Sequence, residues 1–300
     1  MYLIYLIYLN MSNIKFWRVV MRKRFISLLM CGVMSILALT GCSGEKEKKA
    51  YETKQESTKK EEKVITVGCN GTTPGWAGQG EDGNVEGYDY DVWQEIGKRI
   101  GYDVEFKVME WDTLWSMVDQ GRLDTVGNQV TRSAEREERY HLSEPYAYNI
   151  YCLLSAKDNE ELQSMDDLKT GMKIACQTNS SDEDIVESIN KTYNIELAPT
   201  FYDGMSVQDV ALGRCDVWPR AETSCELTVK EMDNLKILGK TNVLEVNVYP
   251  FAKTERGEEL SKLVSGAIKE MHEDGTLKEL SEKWFGKDVT VKPEGAEELK

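Results

Sequence analysis

Arg136 is the residue whose type and place point most directly to ligand chemistry. It follows the strand end Gly127-Asn128-Gln129 by a few positions, where α/β sheets present their ligands. A guanidinium is a planar fork matched to a carboxylate, and it keeps its charge at any working pH. The same side chain also reads as one charge of the solvated run EREER, but its place behind the strand end favours the ligand reading. Asn128 and Gln129 offer donors and acceptors to a polar ligand, and would equally close a strand end. Asn179-Ser180-Ser181 precedes a helix starting near Asp182. Asn and Ser there are ordinary N-caps, while the free N–H groups of a helix start also take a carboxylate. Trp76 sits in the Gly-rich loop NGTTPGWAGQGEDGN with little core around it, so its indole reads as a face for an ammonium or a flat side chain. Trp111, beside Leu114 and Trp115, reads evenly as helix core or as a second such face. A charged group taken out of water needs an opposite partner, or burial costs more than the contacts return.

Other chemistries fit poorly. The chain has two His residues, His141 and His272, and nothing forms a convincing nucleophile–base pair, so no catalytic residue is assigned. No metal site or cofactor is assigned either: Asp89 and Asp91 stand at a helix start, where carboxylates complement the helix end. Lys and Arg number 37 against 52 Asp and Glu, a net charge of −15. That balance argues against nucleic acid, which needs clustered positive charge. The first 42 residues hold five bases and no acid, so the rest is more acidic than the total implies. Past Cys42, five cysteines remain with no CxxC pair. Cys215 and Cys225 are one possible pair; buried free thiols are the plainer reading.

The N-terminus reads as an address. Arg22-Lys23-Arg24 precede an apolar run from Phe25 to Leu39, then Leu39-Thr40-Gly41-Cys42. The run is short for a membrane span, which needs ~20 apolar residues; the order is that of a secretory signal. The ending L-x-G-C resembles the lipobox of bacterial lipoproteins, which implies acylation of Cys42. Residues 1–42 are thus the signal, with translation starting at Met1 or Met21. Residues 43–63 hold 13 charged side chains and no branched aliphatic, and read as a solvated tether.

The folded part positions the candidate residues. VITVGCN at Val64 reads as a strand, Tyr88–Ile100 as a helix closed by Gly101, Asp103–Val108 as a strand, Trp111–Gln120 as a helix, and Asp124–Val130 as a strand. That alternation argues an α/β lobe with a largely parallel sheet. The pattern restarts after an extended run, Tyr146–Ala156: strands at Met172–Cys176, Glu196–Phe201 and Cys215–Trp218, helices at Asp182–Tyr193 and Val207–Leu212. A second extended run, Leu244–Ala252, returns to the first lobe, and Gly257–Phe285 holds two amphipathic helices. The expected organisation is lobe 1 at 64–152 plus 250–286, lobe 2 at 157–245, and a tail at 287–300. Two lobes joined by two crossings form a clam shell whose cleft is the default ligand site.

Five blocks in order resemble the amino-acid-binding (cluster 3) family of solute-binding proteins of ABC importers: VGCNGTTPGW with GYDYDVW, EWDTLWSMVDQGRLDTVGNQVTRSAER, YHLSEPY, DDLKTGMKIACQTNSS and GTLKELSEKWFG. The resemblance implies a two-lobed, type II periplasmic-binding-protein fold with two hinge crossings. It implies an amino acid as ligand, and NQVT with Arg136 is most similar to the cystine-binding members. Carried over by residue, the carboxylate-binding Arg falls on Arg136, the first-lobe ligand loop on Asn128, Gln129 and Thr131, the stacking aromatics on Trp76 and Trp111, and the second-lobe loop on Asn179, Ser180 and Ser181. One departure stands out in GRCDVWPRAE. The family's ammonium-binding Asp falls on Ala221, with Glu222 next door as a substitute. The implied partners are the permease subunits and, through Cys42, the membrane; the implied state is a monomer on the outer face of the cell membrane. The alternatives are a dehydratase-like enzyme on the same fold and a partner-binding lipoprotein without a ligand.

Overall fold

The computed structural model describes residues 63–202 and 207–298. The signal, Cys42 and the tether up to residue 62 lie outside them. β1 (Val64–Cys69) is followed by β2 (Thr72–Thr73), β3 (Ala77–Gln79) and β4 (Val85–Glu86). These three short strands fold the Gly-rich loop into a small antiparallel sheet. Gly87 then starts α1 (Tyr88–Ile100) at φ 131, where a Cβ would collide with the Trp76 carbonyl. The helix ends on Gly101 in the left-handed region at φ 73, the stop its sequence predicts.

β5 (Asp103–Val108), α2 (Trp111–Asp119), β6 (Thr125–Val126), α3 (Ala134–Arg139) and β7 (Tyr140–Leu142) continue the first lobe. β8 (Ala147–Ala156) leaves it. A short turn follows at Met165–Asp167, closed by a reciprocal Ser164–Asp167 capping box. The second lobe adds β9 (Lys173–Gln177), α4 (Asp182–Tyr193), β10 (Ala198–Tyr202), α5 (Val207–Ala211), β11 (Trp218–Ala221) and α6 (Glu222–Glu231). β12 (Leu235–Asn247) returns to the first lobe as β13 (Pro250–Ala252), α7 (Glu255–Glu273) and α8 (Thr276–Phe285), and β14 (Glu297–Glu298) closes the described chain.

The first lobe's sheet has the order β5-β1-β6-β13-β7. β1 runs parallel to β5 and β6, and the returning β13 is antiparallel to both its neighbours. In the second lobe β9 and β10 pair in parallel. The strand expected at Cys215–Trp218 lies later. Val217 makes only a bridge to Ile174, and from Trp218 the chain pairs antiparallel with β8 instead. The crossings β8 and β12 also pair antiparallel with each other, with register breaks between Ile237 and Gly239 and between Lys240 and Leu244. Residues after Gly286, read as a tail, pack back: Val289 is buried and β14 lies parallel to β12.

The cores follow the apolar spacing. Val92, Trp93 and Ile96 of α1 pack with Ile65 and Val67 of β1 and Val264 and Ile268 of α7. A separate cluster beneath the second lobe includes Ile174, Ile185, Ile189 and Val217. Each such side chain contributes roughly 1.5–3 kcal/mol on full burial. Cys69, Cys152, Cys176, Cys215 and Cys225 are all buried free thiols. Among the described residues no helix is long and apolar enough to cross a membrane.

Candidate functional site

A cavity of about 80 Å³ lies between the lobes, against the two crossings. From the first lobe Trp111, Asn128, Gln129, Thr131 and Arg136 line it. Ser180 and Ser181 face them from the start of α4. The structure therefore gathers most of the candidates named from sequence.

Three candidates lie elsewhere. Trp76 is fully buried in the first lobe's core, edge-on to Tyr88 and 4.8 Å from the Phe285 ring. Its indole donates to Thr223 Oγ1 at 3.2 Å, so core packing does explain this residue. Asn179 has its amide turned onto Asp112 Oδ1 at 2.9 Å, while its carbonyl accepts the Trp111 indole N–H at 3.1 Å. It borders a neighbouring hollow of about 430 Å³ instead. Glu222 points outward at the start of α6 and pairs with Lys240 at 2.7 Å and Lys287 at 3.3 Å. These two ammonium groups hold its pKa below the usual carboxylate value despite partial burial.

Arg136 is buried in the cavity wall, 8% exposed. Its Nη1 donates to the Thr131 carbonyl at 2.6 Å and its plane lies 4.8 Å from the Trp115 ring. Among the described residues it forms no ion pair with a carboxylate, and burial pulls its pKa below the ordinary value. Ser133 caps α3 by accepting the Arg136 N–H, which fixes where the side chain leaves the backbone. Ser181 occupies the N-cap place of α4 but makes no capping bond, contrary to its sequence reading. Its Oγ lies 3.4 Å from the Tyr151 hydroxyl, inside the cavity.

Among the cavity residues that sequence reasoning missed, four are ionisable: Tyr151, Asp182, Arg220 and Glu245. Arg220 pairs with Asp182 at 3.1 Å and stacks 3.9 Å from the Trp218 ring, so those two charges satisfy each other. Glu245, on β12, is 3% exposed. It accepts from Gln129 Nε2 at 3.0 Å, the Tyr151 hydroxyl at 3.1 Å and the Thr131 hydroxyl at 3.2 Å. Burial outweighs these bonds and pushes its pKa up to about 7. The available signal was a lone acid inside the apolar run VLEVNVYPF. Asp89, read as helix-end charge, is fully buried and holds the loop at Gln129: it accepts the Gln129 N–H at 2.7 Å and the Tyr249 hydroxyl at 3.0 Å.

The lobes touch across the cavity. Besides the Trp111–Asn179 and Trp76–Thr223 bonds, Ser224 Oγ donates to Gln129 Oε1 at 3.3 Å. The arrangement is that of a closed clam shell enclosing polar groups of both signs. Residues 65–287 match the bacterial extracellular solute-binding proteins, family 3. The chain belongs to this family.

As a family 3 solute-binding protein it has relatives along most of its length. It is 32% identical to the probable amino-acid-binding protein YxeM of Bacillus subtilis, over 90% of this chain and 97% of that one. It is also 32% identical to the L-cystine-binding protein TcyJ of Escherichia coli, over 86% and 96%. A solved structure described for glutathione import in Gram-positive bacteria via GshT and the cystine importer TcyBC of Streptococcus mutans superposes with a TM-score of 0.67. That match has 26% identity and covers 77% of this chain and 98% of that one. The fold is the periplasmic-binding-protein fold expected from the sequence blocks.

Proposed function

We propose that this family 3 protein captures an amino acid in the interlobe cavity and delivers it to the permease of an ABC importer, binding it without turnover. The observation that carries the reading is Arg136. A buried guanidinium with no carboxylate in contact, facing the interlobe cavity, is a costly arrangement unless a ligand carboxylate completes it. Asn128, Gln129, Thr131 and Ser181 supply the neutral polar lining, and Trp111 forms an apolar wall.

Cystine is the first candidate. The cavity of about 80 Å³ holds roughly five to eight heavy atoms at the space one water occupies, the size of a single amino-acid head. Arg136 and Ser180 also border the hollow of about 430 Å³, which gives the second half of a cystine room to extend. A relative named for cystine binding, at 32% identity, supports the same choice.

The protein is read as an extracytoplasmic monomer tethered by a lipidated Cys42, with the hinge in β8 and β12. A thermal-shift screen against the common amino acids, cystine and short peptides tests the reading. Stabilisation by one or a few amino acids, cystine foremost, is the expected result. No shift with any of them would overturn it.

A further inference from the structure

Of the charged side chains around the cavity, only two pair with each other. Four charged side chains line it: Arg136, Asp182, Arg220 and Glu245. Asp182 and Arg220 neutralise each other, and Asp182 also accepts the Gln177 N–H at 2.7 Å. That leaves one cation, Arg136, and one carboxylate, Glu245, neither in an ion pair among the described residues, with Glu135 and Asp184 acting on Arg136 only through space. Every hydrogen-bond partner of Glu245 is a neutral donor. The cation and the carboxylate are both anchored on one residue, Thr131, the first at its backbone carbonyl and the second at its hydroxyl. Ala221, buried in the same lining, has no side-chain group that can accept an ammonium, and Glu222 is turned away to Lys240 and Lys287.

We propose that Glu245, on the return crossing, receives the ligand's α-ammonium and selects for a free amine. The assignment rests on the amino-acid reading above and adds the group that meets the second charge. A buried carboxylate satisfied only by neutral donors gains most from a cation placed against its remaining lone pair. The ammonium binds the ionised carboxylate, so Glu245 gives up its proton on binding wherever it holds one. The other ionisable side chains facing the cavity are Arg136, Arg220, Asp182 and Tyr151. Arginine and a tyrosine whose pKa burial raises well above its ordinary value keep their charge state near neutral pH. With the Glu245 pKa near 7, affinity should fall as pH drops below neutrality, about tenfold per pH unit at the limit.

The test compares free L-amino acids and L-cystine with their Nα-acetyl forms, on the wild type and on Glu245→Gln. The wild type should prefer the free amine, and Glu245→Gln should weaken free-amine binding by about thirtyfold or more while leaving acetylated forms little changed. Calorimetry of the wild type in two buffers of different ionisation heat, at about pH 6, should detect proton release, a readout that needs no variant. Binding of free amino acids that is unaffected by Glu245→Gln, releases no proton and tolerates acetylation would overturn the assignment while leaving the amino-acid reading intact. Failure of every free and acetylated compound to bind would overturn both.

Discussion

Asp89 holds Gln129 by its backbone. The carboxylate accepts the Gln129 N–H at 2.7 Å, and Gln129 sits at φ 51, in the left-handed region that non-glycine residues rarely adopt. The Gln129 side chain then spans the cavity edge, donating to Glu245 on the return crossing and accepting from Ser224 in the second lobe. A buried acid in the first lobe thus sets the aim of an amide that touches all three parts of the site.

Asp89→Ala should strand two buried donors, the Gln129 N–H and the Tyr249 hydroxyl, and cost about 2–4 kcal/mol in urea denaturation. Asp89→Asn keeps one acceptor oxygen and should cost less. An unchanged midpoint for the Ala variant would show that the loop does not depend on this bond.

Arg136→Ala should weaken amino-acid binding by roughly thirtyfold to several thousandfold, the ~2–5 kcal/mol cost of stranding a buried charge. Arg136→Lys should recover little, because an ammonium lacks the fork. Folding should be nearly unaffected, because the lost contacts to Thr131 and Trp115 are offset by relief of the buried charge. Arg132 is the control, since it pairs with Glu137 and Glu298 and lines neither the cavity nor the hollow. Equal calorimetric affinities for the Ala variants at 132 and 136 would remove Arg136 from the site.

Ligand should shift the protein toward the closed arrangement described here, by bending at β8 and β12. Small-angle scattering should give a smaller radius of gyration at saturating ligand. An unchanged radius would count against a hinge.

Without ligand, Glu245 should make stability fall as pH rises. Its folded pKa of about 7 lies above the ordinary 4.5. Its stabilising contribution is therefore complete below the unfolded value and is lost as pH climbs through about 7. Between about pH 5 and pH 8 the wild type should lose about 2–3 kcal/mol relative to Glu245→Gln. Asp89, raised to about 6, adds loss of the same sign at somewhat lower pH in both proteins. Parallel urea midpoints for wild type and Glu245→Gln at the two pH values would contradict the burial of an ionisable Glu245.

Cys42→Ala should either release the protein from membranes or leave its signal uncleaved. Membrane association of a fully processed Cys42→Ala protein would rule out the lipid anchor.

Elements with strong local patterns were readable in advance. The α1 spacing of Val92, Trp93 and Ile96, the Gly101 stop and the alternation of β1, α1, β5, α2 and β6 needed only the neighbouring residues. What was not readable depends on partners far along the chain. Trp76 has glycines beside it in sequence, yet Tyr88, Tyr146 and Phe285 surround it in the fold. Glu245 passed unnoticed in the run Leu244–Ala252, because the donors that make it part of a cavity come from the Gln129–Thr131 loop and from β8. Glu222 and Ala221 are adjacent, but the start of a helix between them turns one outward and buries the other.

The two indole N–H bonds that cross between the lobes, from Trp76 to Thr223 and from Trp111 to Asn179, give this protein an optical signal of its own. Separation of the lobes would break both bonds and admit water to each ring, changing the polarity that an excited indole senses. Emission colour and quenching by added iodide would then follow capture and release in real time. Phenylalanine at position 76 or 111 would tell which ring reports, without attaching any dye.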